Sequence, residues 1–128
     1  MDIKAYIYIF LDGEHKYLSD GFVKIGKTTS PISNRLATLQ IGNPRQLKIL
    51  SVVSFDNYDL VNFLETQIHK HLAKHKARGE WFCYHTEEVR KFIKRIEGWG
   101  SNVTDDYCQW NAYSPGDKEG GYICLQNN

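Results

Sequence analysis

Two segments near the start of the chain, residues 5–10 and 21–26, alternate residue by residue in the manner of β-strands. The first sends its aliphatic residues to one face and its aromatic residues to the other, namely Ile7 and Ile9 against Tyr6, Tyr8 and Phe10. Asp-Gly pairs between the two segments are turn signals. The pattern therefore predicts a β-hairpin with a fairly long loop, in which Tyr8 and Lys24 could share a face.

Apolar residues that recur every three or four positions predict three helices after the hairpin. The first follows Ser30-Pro31, an N-cap residue with proline at the first helical position, and stops at Gly42-Asn43-Pro44. The second runs from about Tyr58 to Lys74. Its apolar stripe consists of Leu60, Leu64, Ile68 and Leu72. Thr86 caps the third helix, which ends before Gly98.

A third strand is predicted at residues 47–55, and a short extended piece at residues 80–84. The element order is then β-β-α-β-α-(β)-α. This order predicts a small α/β domain of the α+β kind, with a mostly antiparallel three-stranded sheet flanked by helices. We assign this domain to residues 1–98 and treat residues 99–128 as a C-terminal extension of unknown role.

The predicted extension differs from the rest of the chain in composition and charge. It is rich in aromatic residues among Gly, Ser, Asp and Asn, and a further strand is predicted at residues 122–125. It carries four acids and one base, a net charge of −3, whereas the whole chain carries +1. Residues 1–98 therefore carry +4, which favours an anionic partner for the domain.

Composition excludes several classes of protein. A chain of 128 residues with 41% apolar residues is that of one ordinary folded domain. No apolar run reaches membrane-spanning length, and the first residues lack the pattern of a signal peptide, so a cytoplasmic protein is expected. Three widely spaced cysteines argue against a disulfide framework, and Cys83-Tyr84-His85 lacks the second ligand pair of a zinc site.

Basic residues concentrate just after the second predicted helix. They are Lys70, Lys74, Lys76 and Arg78, interleaved with His69, His71 and His75. Such a patch can attract a phosphate backbone, although a solvated helix face has the same composition. The residues expected to contact nucleic acid are these four, together with Lys27 and Arg35.

Four separated residues supply the chemistry needed to cut a phosphodiester bond. Tyr8 offers a phenol, Lys24 a cation beside it, Arg35 a guanidinium for phosphate oxygens, and Glu65 a carboxylate for a divalent metal. Each of them alone has an ordinary structural explanation, as a packed strand residue, a surface charge or a helix former. Their occurrence together carries the interpretation.

Five short motifs occur in one order: Tyr6-Ile7-Tyr8, Val23-Lys24-Ile25-Gly26, Asn34-Arg35-Leu36, Leu64-Glu65-Thr66-Gln67-Ile68-His69 and Gly79-Glu80-Trp81-Phe82. In this order residues 5–97 resemble the phage-type branch of the GIY-YIG nuclease family, which is named after an open reading frame of bacteriophage T5. Tyr6 stands at the family's first glycine, and Lys24 stands at the first tyrosine of the second motif. Leu39 stands where some members have a histidine.

The resemblance implies a GIY-YIG-like fold and a metal-dependent endonuclease that hydrolyses phosphodiester bonds in DNA. Glu65 would hold one Mg²⁺ (or Mn²⁺) ion, and Arg35 would grip the phosphate. Tyr8 would activate the attacking water, helped by Lys24, whose ammonium would lower a phenol pKa that is ordinarily near 10. Tyr6 and His69 complete the candidate catalytic set, with His69 or Tyr17 as alternative bases.

Two other functions fit the same sequence. The first is a nucleic-acid-binding module of the same fold with weak or no cleavage activity. The second is a phage or host interaction protein regulated by its acidic tail, with a protein partner bound through residues 99–128. DNA is the expected nucleic acid, RNA is not excluded, and the chain is expected to be a monomer or a homodimer in a bacterial or phage-infected cell.

Overall fold

The computed structural model describes residues 4–12, 21–43 and 46–107. The strands of this part are β1 (Ala5–Asp12), β2 (Phe22–Thr28), β3 (Leu47–Phe55), β4 (Lys76–Arg78), β5 (Trp81–Cys83) and β6 (Ser101–Asn102). The helices are α1 (Ile32–Gln40), α2 (Tyr58–His71) and α3 (Glu87–Ile96), with short 3₁₀ turns at Ala73–His75 and Thr104–Asp106. The strands form one sheet in the order β4-β5-β2-β1-β3-β6, and all neighbours are antiparallel.

The sheet has apolar clusters on both of its faces. On one face the aliphatic side chains Ile7 and Ile9 of β1 join a buried cluster with apolar residues of α2 and α3. On the other face Tyr8 and Phe10 join a second cluster with Ile32 of α1. The predicted alternation of β1 and the predicted hairpin with β2 are therefore confirmed. Because β1 is buried on both faces, it is a central strand of the molecule.

The α+β class is confirmed, but the predicted count of three strands is wrong, because six are present in the described residues. β5 corresponds to the predicted extended piece. β4 and β6 were not predicted because they are two or three residues long, are exposed and have no apolar alternation. Only pairing with neighbouring strands defines such elements.

The first residues of the predicted extension pack on the domain. β6 pairs with β3 through Val53 and Ser54. The Val103 N–H donates to the Val52 carbonyl at 2.9 Å, and the Val52 N–H donates to Thr104 Oγ1 at 3.0 Å. Residues 101–104 therefore complete this edge of the sheet. The predicted strand at 122–125 lies outside the described residues.

Two details of the predicted helices are wrong. Pro31 occupies the N-cap position of α1 rather than its first helical position, and no side chain caps this helix. In α2 the predicted stripe is confirmed at Leu64, Ile68 and Leu72, but it is wrong at Leu60, which is 44% exposed, and the helix also buries Val61 and Glu65. A glutamate thus occupies the inward face, which an apolar pattern alone does not reveal.

The helix ends are close to their predicted positions. α2 ends at His71 and passes into a 3₁₀ turn, and Thr86 stands at the N-cap of α3 without a side-chain hydrogen bond. The apolar face of α3 is buried as predicted. None of the described helices is long and apolar enough to cross a membrane.

Candidate active site

Tyr8 and Arg35 meet on the α1 side of the sheet. The strand register places Tyr8 opposite Gly26, and a Cβ atom at Gly26 would lie 2.5 Å from Tyr8 Cζ. Glycine is therefore required for the phenol ring to lie across β2. Arg35, in the first turn of α1, donates from Nε to Tyr8 Oη at 3.1 Å. Among the described residues, no partner binds its terminal amino groups, so they can donate hydrogen bonds to a phosphate.

The pKa of Tyr8 is raised above 10.0, chiefly because the ring is buried. The hydrogen bond and charge of Arg35 act in the opposite direction, while Glu80 and Glu65 raise the pKa further. The expected lowering of this pKa by Lys24 is therefore wrong. The reason is that the Lys24 ammonium lies 3.0 Å from a Glu80 carboxylate oxygen, which neutralises its charge. Tyr8 is a neutral phenol at neutral pH.

The backbone of Ile25 organises a second group of side chains. β5 pairs with β2 only as far as Lys24, so the backbone groups of Ile25 on this edge are left to other partners. The Ile25 N–H donates to the Glu80 carbonyl at 3.2 Å, and the Ile25 carbonyl lies 2.9 Å from His69 Nε2. Where the pairing with β5 ends, the backbone of Ile25 thus contacts both Glu80 and, through His69, α2.

Glu65, His69 and Glu80 form a candidate metal centre at this edge. One ligand atom from each of them lies within 4.8 Å of the other two. The Glu65 side chain is only 11% exposed, with Lys27 Nζ at 3.2 Å from its Oε1 and His69 Nε2 at 3.9 Å from its Oε2. The Glu80 side chain is 41% exposed, which leaves a path for an ion and its waters.

The donor set fits a divalent cation. Two carboxylates and an imidazole are ligands that Mn²⁺ accepts, and Mg²⁺ is bound by one or two carboxylates with several waters. A buried carboxylate also needs a compensating positive charge, which Lys27 supplies in this structure. Such an ion would compete with Lys24 and Lys27 for the two carboxylates.

The predicted basic patch is divided by the structure. Lys74 turns to Glu88 of α3, with Nζ to Oε1 at 3.6 Å, and His75 lies 3.2 Å from the same oxygen. Lys70, Lys76 and Arg78 are exposed and have no ion pair with another described residue. These three remain candidates for phosphate contacts.

Other sequence-predicted residues lie as follows. Lys27 belongs to the carboxylate cluster through Glu65. Tyr6 contacts the ring of Tyr107, at 6.4 Å between centroids. Tyr17 lies outside the described residues.

Glu80 lies in one of the five sequence motifs but was not among the predicted site residues. The signal that could have found it is its neighbourhood, because Gly79 takes a positive φ of 57° and turns the chain immediately before β5. A carboxylate at such a turn lies at the edge of the sheet and not within a strand.

Comparisons with known proteins place this arrangement in context. The model of the T5orf172 domain, a GIY-YIG-like, nuclease-associated family of phage type, matches residues 5–97. This range contains all the residues of the candidate site. No curated protein and no solved structure matches the chain.

Proposed function

Since the chain belongs to the T5orf172 domain family, we propose that it is a metal-dependent endonuclease that hydrolyses phosphodiester bonds in DNA. The observation that supports the proposal is the placement of two groups around residues 25 and 26 of β2. Tyr8 and Arg35 lie together at Gly26, and the cluster of Glu65, His69 and Glu80 is fastened at Ile25. The charges of Glu80 and Glu65 also act on the Tyr8 hydroxyl that Arg35 contacts, and phosphodiester hydrolysis requires a phosphate-binding guanidinium near a metal centre.

Glu65 is the principal ligand in this proposal, and His69 and Glu80 are the neighbouring donors. A bound Mg²⁺ or Mn²⁺ ion would supply neutralisation of the charge that develops on the leaving oxygen. Lys24 and Lys27 now pair with these carboxylates, and with the carboxylates engaged as ligands their ammonium groups would be free to contact phosphate oxygens.

Arg35 acts on the substrate phosphate. Its Nε is fixed by Tyr8, so its two terminal amino groups have a defined direction before substrate binds. Hydrogen bonds from these groups to non-bridging oxygens stabilise the charge of the transition state without any reorganisation of the protein. Tyr8 is therefore a positioning residue for Arg35 and a neutral hydroxyl that can orient the attacking water.

The group that takes the proton from water is either Tyr8 or His69. If a Tyr8 phenolate were the base, the cleavage rate would rise with pH up to at least 10, because burial raises the pKa of this phenol above 10.0. If His69 were the base, cleavage would not require the Tyr8 phenolate, and His69→Gln would lower the rate more than Tyr8→Phe would.

The proposal is tested by cleavage of labelled single- and double-stranded DNA, and of RNA, with Mg²⁺, Mn²⁺ or EDTA. Wild-type protein is expected to cut only with metal, and Glu65→Ala is expected to abolish cleavage while largely sparing DNA affinity measured by fluorescence anisotropy. Full activity of Glu65→Ala, or cleavage in EDTA, would falsify the assigned role.

A binding module without cleavage is favoured by one observation. Lys24 and Lys27 already neutralise the two carboxylates without any metal, so the cluster is also stable as a set of ion pairs. Metal-independent DNA binding by a folded protein that cuts none of the tested substrates would support this function.

Regulation by the acidic tail is tested with a shortened chain. The cut belongs after Tyr107 rather than after Gly98, because residues 101–104 hydrogen-bond to β3. A shortened protein with higher DNA affinity or activity would identify the tail as inhibitory, since it removes acidic residues that compete for the basic face.

A further inference from the structure

A groove opens beside the candidate active site, between the strand ends of the sheet and the end of α1. Its volume is about 380 Å³, which lies in the range of sites for small molecules. The described residues that line it are Asp12, Phe22, Gly42, Asn43, Ala77, Arg78 and Trp81. Apart from Arg78, a candidate for phosphate contacts, the nuclease role proposed above makes no use of these side chains.

The groove offers two aromatic rings on neighbouring strands. Phe22 is 38% exposed although it belongs to a strand, and Trp81 faces Lys24 across the β2–β5 pair. The Lys24 ammonium lies 5.5 Å from the centroid of the Trp81 ring. Exposed rings next to cations are the features with which proteins stack unpaired bases and hold the adjoining phosphates.

The groove also carries cations for a phosphate. Arg78 lines the groove from β4, and Lys76 is exposed on the same strand. Arginine and lysine bind phosphates, so a base stacked on these rings would have its adjoining phosphate close to two cations.

The groove is continuous with the candidate metal centre. Trp81 follows Glu80 directly, so their Cα atoms are about 3.8 Å apart. Lys24 contacts both of them, the carboxylate at 3.0 Å and the ring at 5.5 Å. A nucleic-acid strand whose phosphate lies at Arg35 and Glu65 can therefore place a nearby base in this groove.

We propose that the groove binds an unpaired nucleobase of the nucleic-acid strand next to the scissile phosphate. A base within a duplex is stacked and paired, so it cannot lie against Phe22 and Trp81 unless it leaves the helix. The protein then favours flaps, bulges or single strands over continuous duplex. This inference rests on the proposed function, because it identifies the class of substrate for the same site.

The test compares two strands of equal length and charge, an oligothymidine and an abasic strand with the same phosphates. Anisotropy of the labelled strands is measured in EDTA, so that no cleavage occurs. Wild-type protein is expected to bind the oligothymidine about tenfold more tightly, the value of one stacked base. Phe22→Ala should remove most of this preference, and Phe22→Tyr should retain it.

The matched control is Phe63→Ala, because Phe63 is a more exposed ring, 58%, that lies on α2 outside the groove. Its preference for bases should equal that of the wild type. Equal binding of the two strands by wild-type protein overturns the inference, and so does a preference that survives in Phe22→Ala. Phe22→Leu separates stacking from apolar contact, since it keeps a side chain of similar size but removes the ring.

The groove and the nuclease role fail in different ways. Metal-dependent cleavage by a protein that binds both strands equally would support the nuclease role and overturn the inference that the groove binds a base. A base preference that depends on Phe22, in a protein that cuts nothing, would support the groove and leave only the binding function.

Discussion

Two clusters of the same residue types, one around Glu65 and one around Glu88, differ in what they can do. Lys27 lies 3.2 Å and His69 3.9 Å from Glu65, while His75 lies 3.2 Å and Lys74 3.6 Å from Glu88. The Glu65 side chain is 11% exposed and the Glu88 side chain is 42% exposed. Glutamate, histidine and lysine therefore do not identify a site until burial is known.

The second difference is a further carboxylate. Glu80 joins the first cluster, and among the described residues only Glu65, His69 and Glu80 form a group of three potential metal ligands. The second cluster links the 3₁₀ turn after α2 to α3 through ion pairs of a partly exposed carboxylate, which contribute little to stability. Chemistry is thus expected at Glu65 and not at Glu88, and each variant below tests that division.

After Glu65→Ala, which is expected to abolish cleavage, the largest effect on cleavage is expected from Arg35→Ala. Loss of a guanidinium that stabilises transition-state charge costs about 10²- to 10³-fold in rate. The matched control is Arg95→Ala, an exposed arginine of α3, which should leave the rate unchanged. Single-turnover cleavage with Mn²⁺ measures both. Equal rates for the two variants would remove Arg35 from the site.

His69→Gln and His71→Gln form the next pair. His69 lies between the Ile25 carbonyl and Glu65, whereas His71 stacks on Phe92 of α3 at 4.3 Å between centroids. Loss of His69 should weaken Mn²⁺ binding about 10- to 100-fold, as for groups that bind or orient metal ligands. His71→Gln should not weaken it. Calorimetry of Mn²⁺ binding distinguishes them, and equal affinities would exclude His69 from the metal centre.

The division between the clusters was only partly predictable from the sequence. The alternation of β1 gave both faces of the sheet, and the resemblance gave Arg35 and Glu65, since these depend on local pattern and motif order. By contrast, the basic run from His69 to Arg78 was interpreted as one patch. The structure sends His69 to Glu65 and His75 to Glu88, because α2 ends at His71 and the chain turns there.

The lysine partners of the two carboxylates could not be predicted, for a physical reason. Lys24 reaches Glu80 because β5 pairs with β2 at a register that places Trp81 opposite Lys24, and Lys27 reaches Glu65 because α2 packs against β2. Register and strand length are set by tertiary pairing, not by the residues of β2 alone. The expected effect of Lys24 on the Tyr8 pKa failed for the same reason.

Gly26→Ala tests whether the first site depends on packing that the second cluster does not need. A Cβ atom at Gly26 would overlap the Tyr8 ring, so the phenol and its bond to Arg35 must shift. We expect a loss of about 1–3 kcal/mol in the free energy of unfolding, the usual cost of overpacking. Gly42→Ala meets no atom within 4 Å and should change stability by less than about 0.5 kcal/mol. Urea denaturation measures both, and equal stabilities would contradict the close approach at Gly26.

The smallest expected effect concerns Glu88 and pH. The hydrogen bond from His75 lowers the pKa of Glu88 below 4.5, desolvation opposes this effect, and the charge of Lys74 lowers the pKa further. A carboxyl whose pKa is lowered by folding stabilises the protein above its unfolded pKa of about 4.5, and this contribution is lost as the pH falls through the folded pKa. Glu88→Gln should therefore unfold at slightly lower urea than wild type above pH 4.5, and at the same urea well below it. A difference in stability that persists in strong acid would show that Glu88 acts through packing and not through its charge. If chemistry is confined to the cluster around Glu65, Glu88→Gln should cleave DNA at the same rate as the wild type.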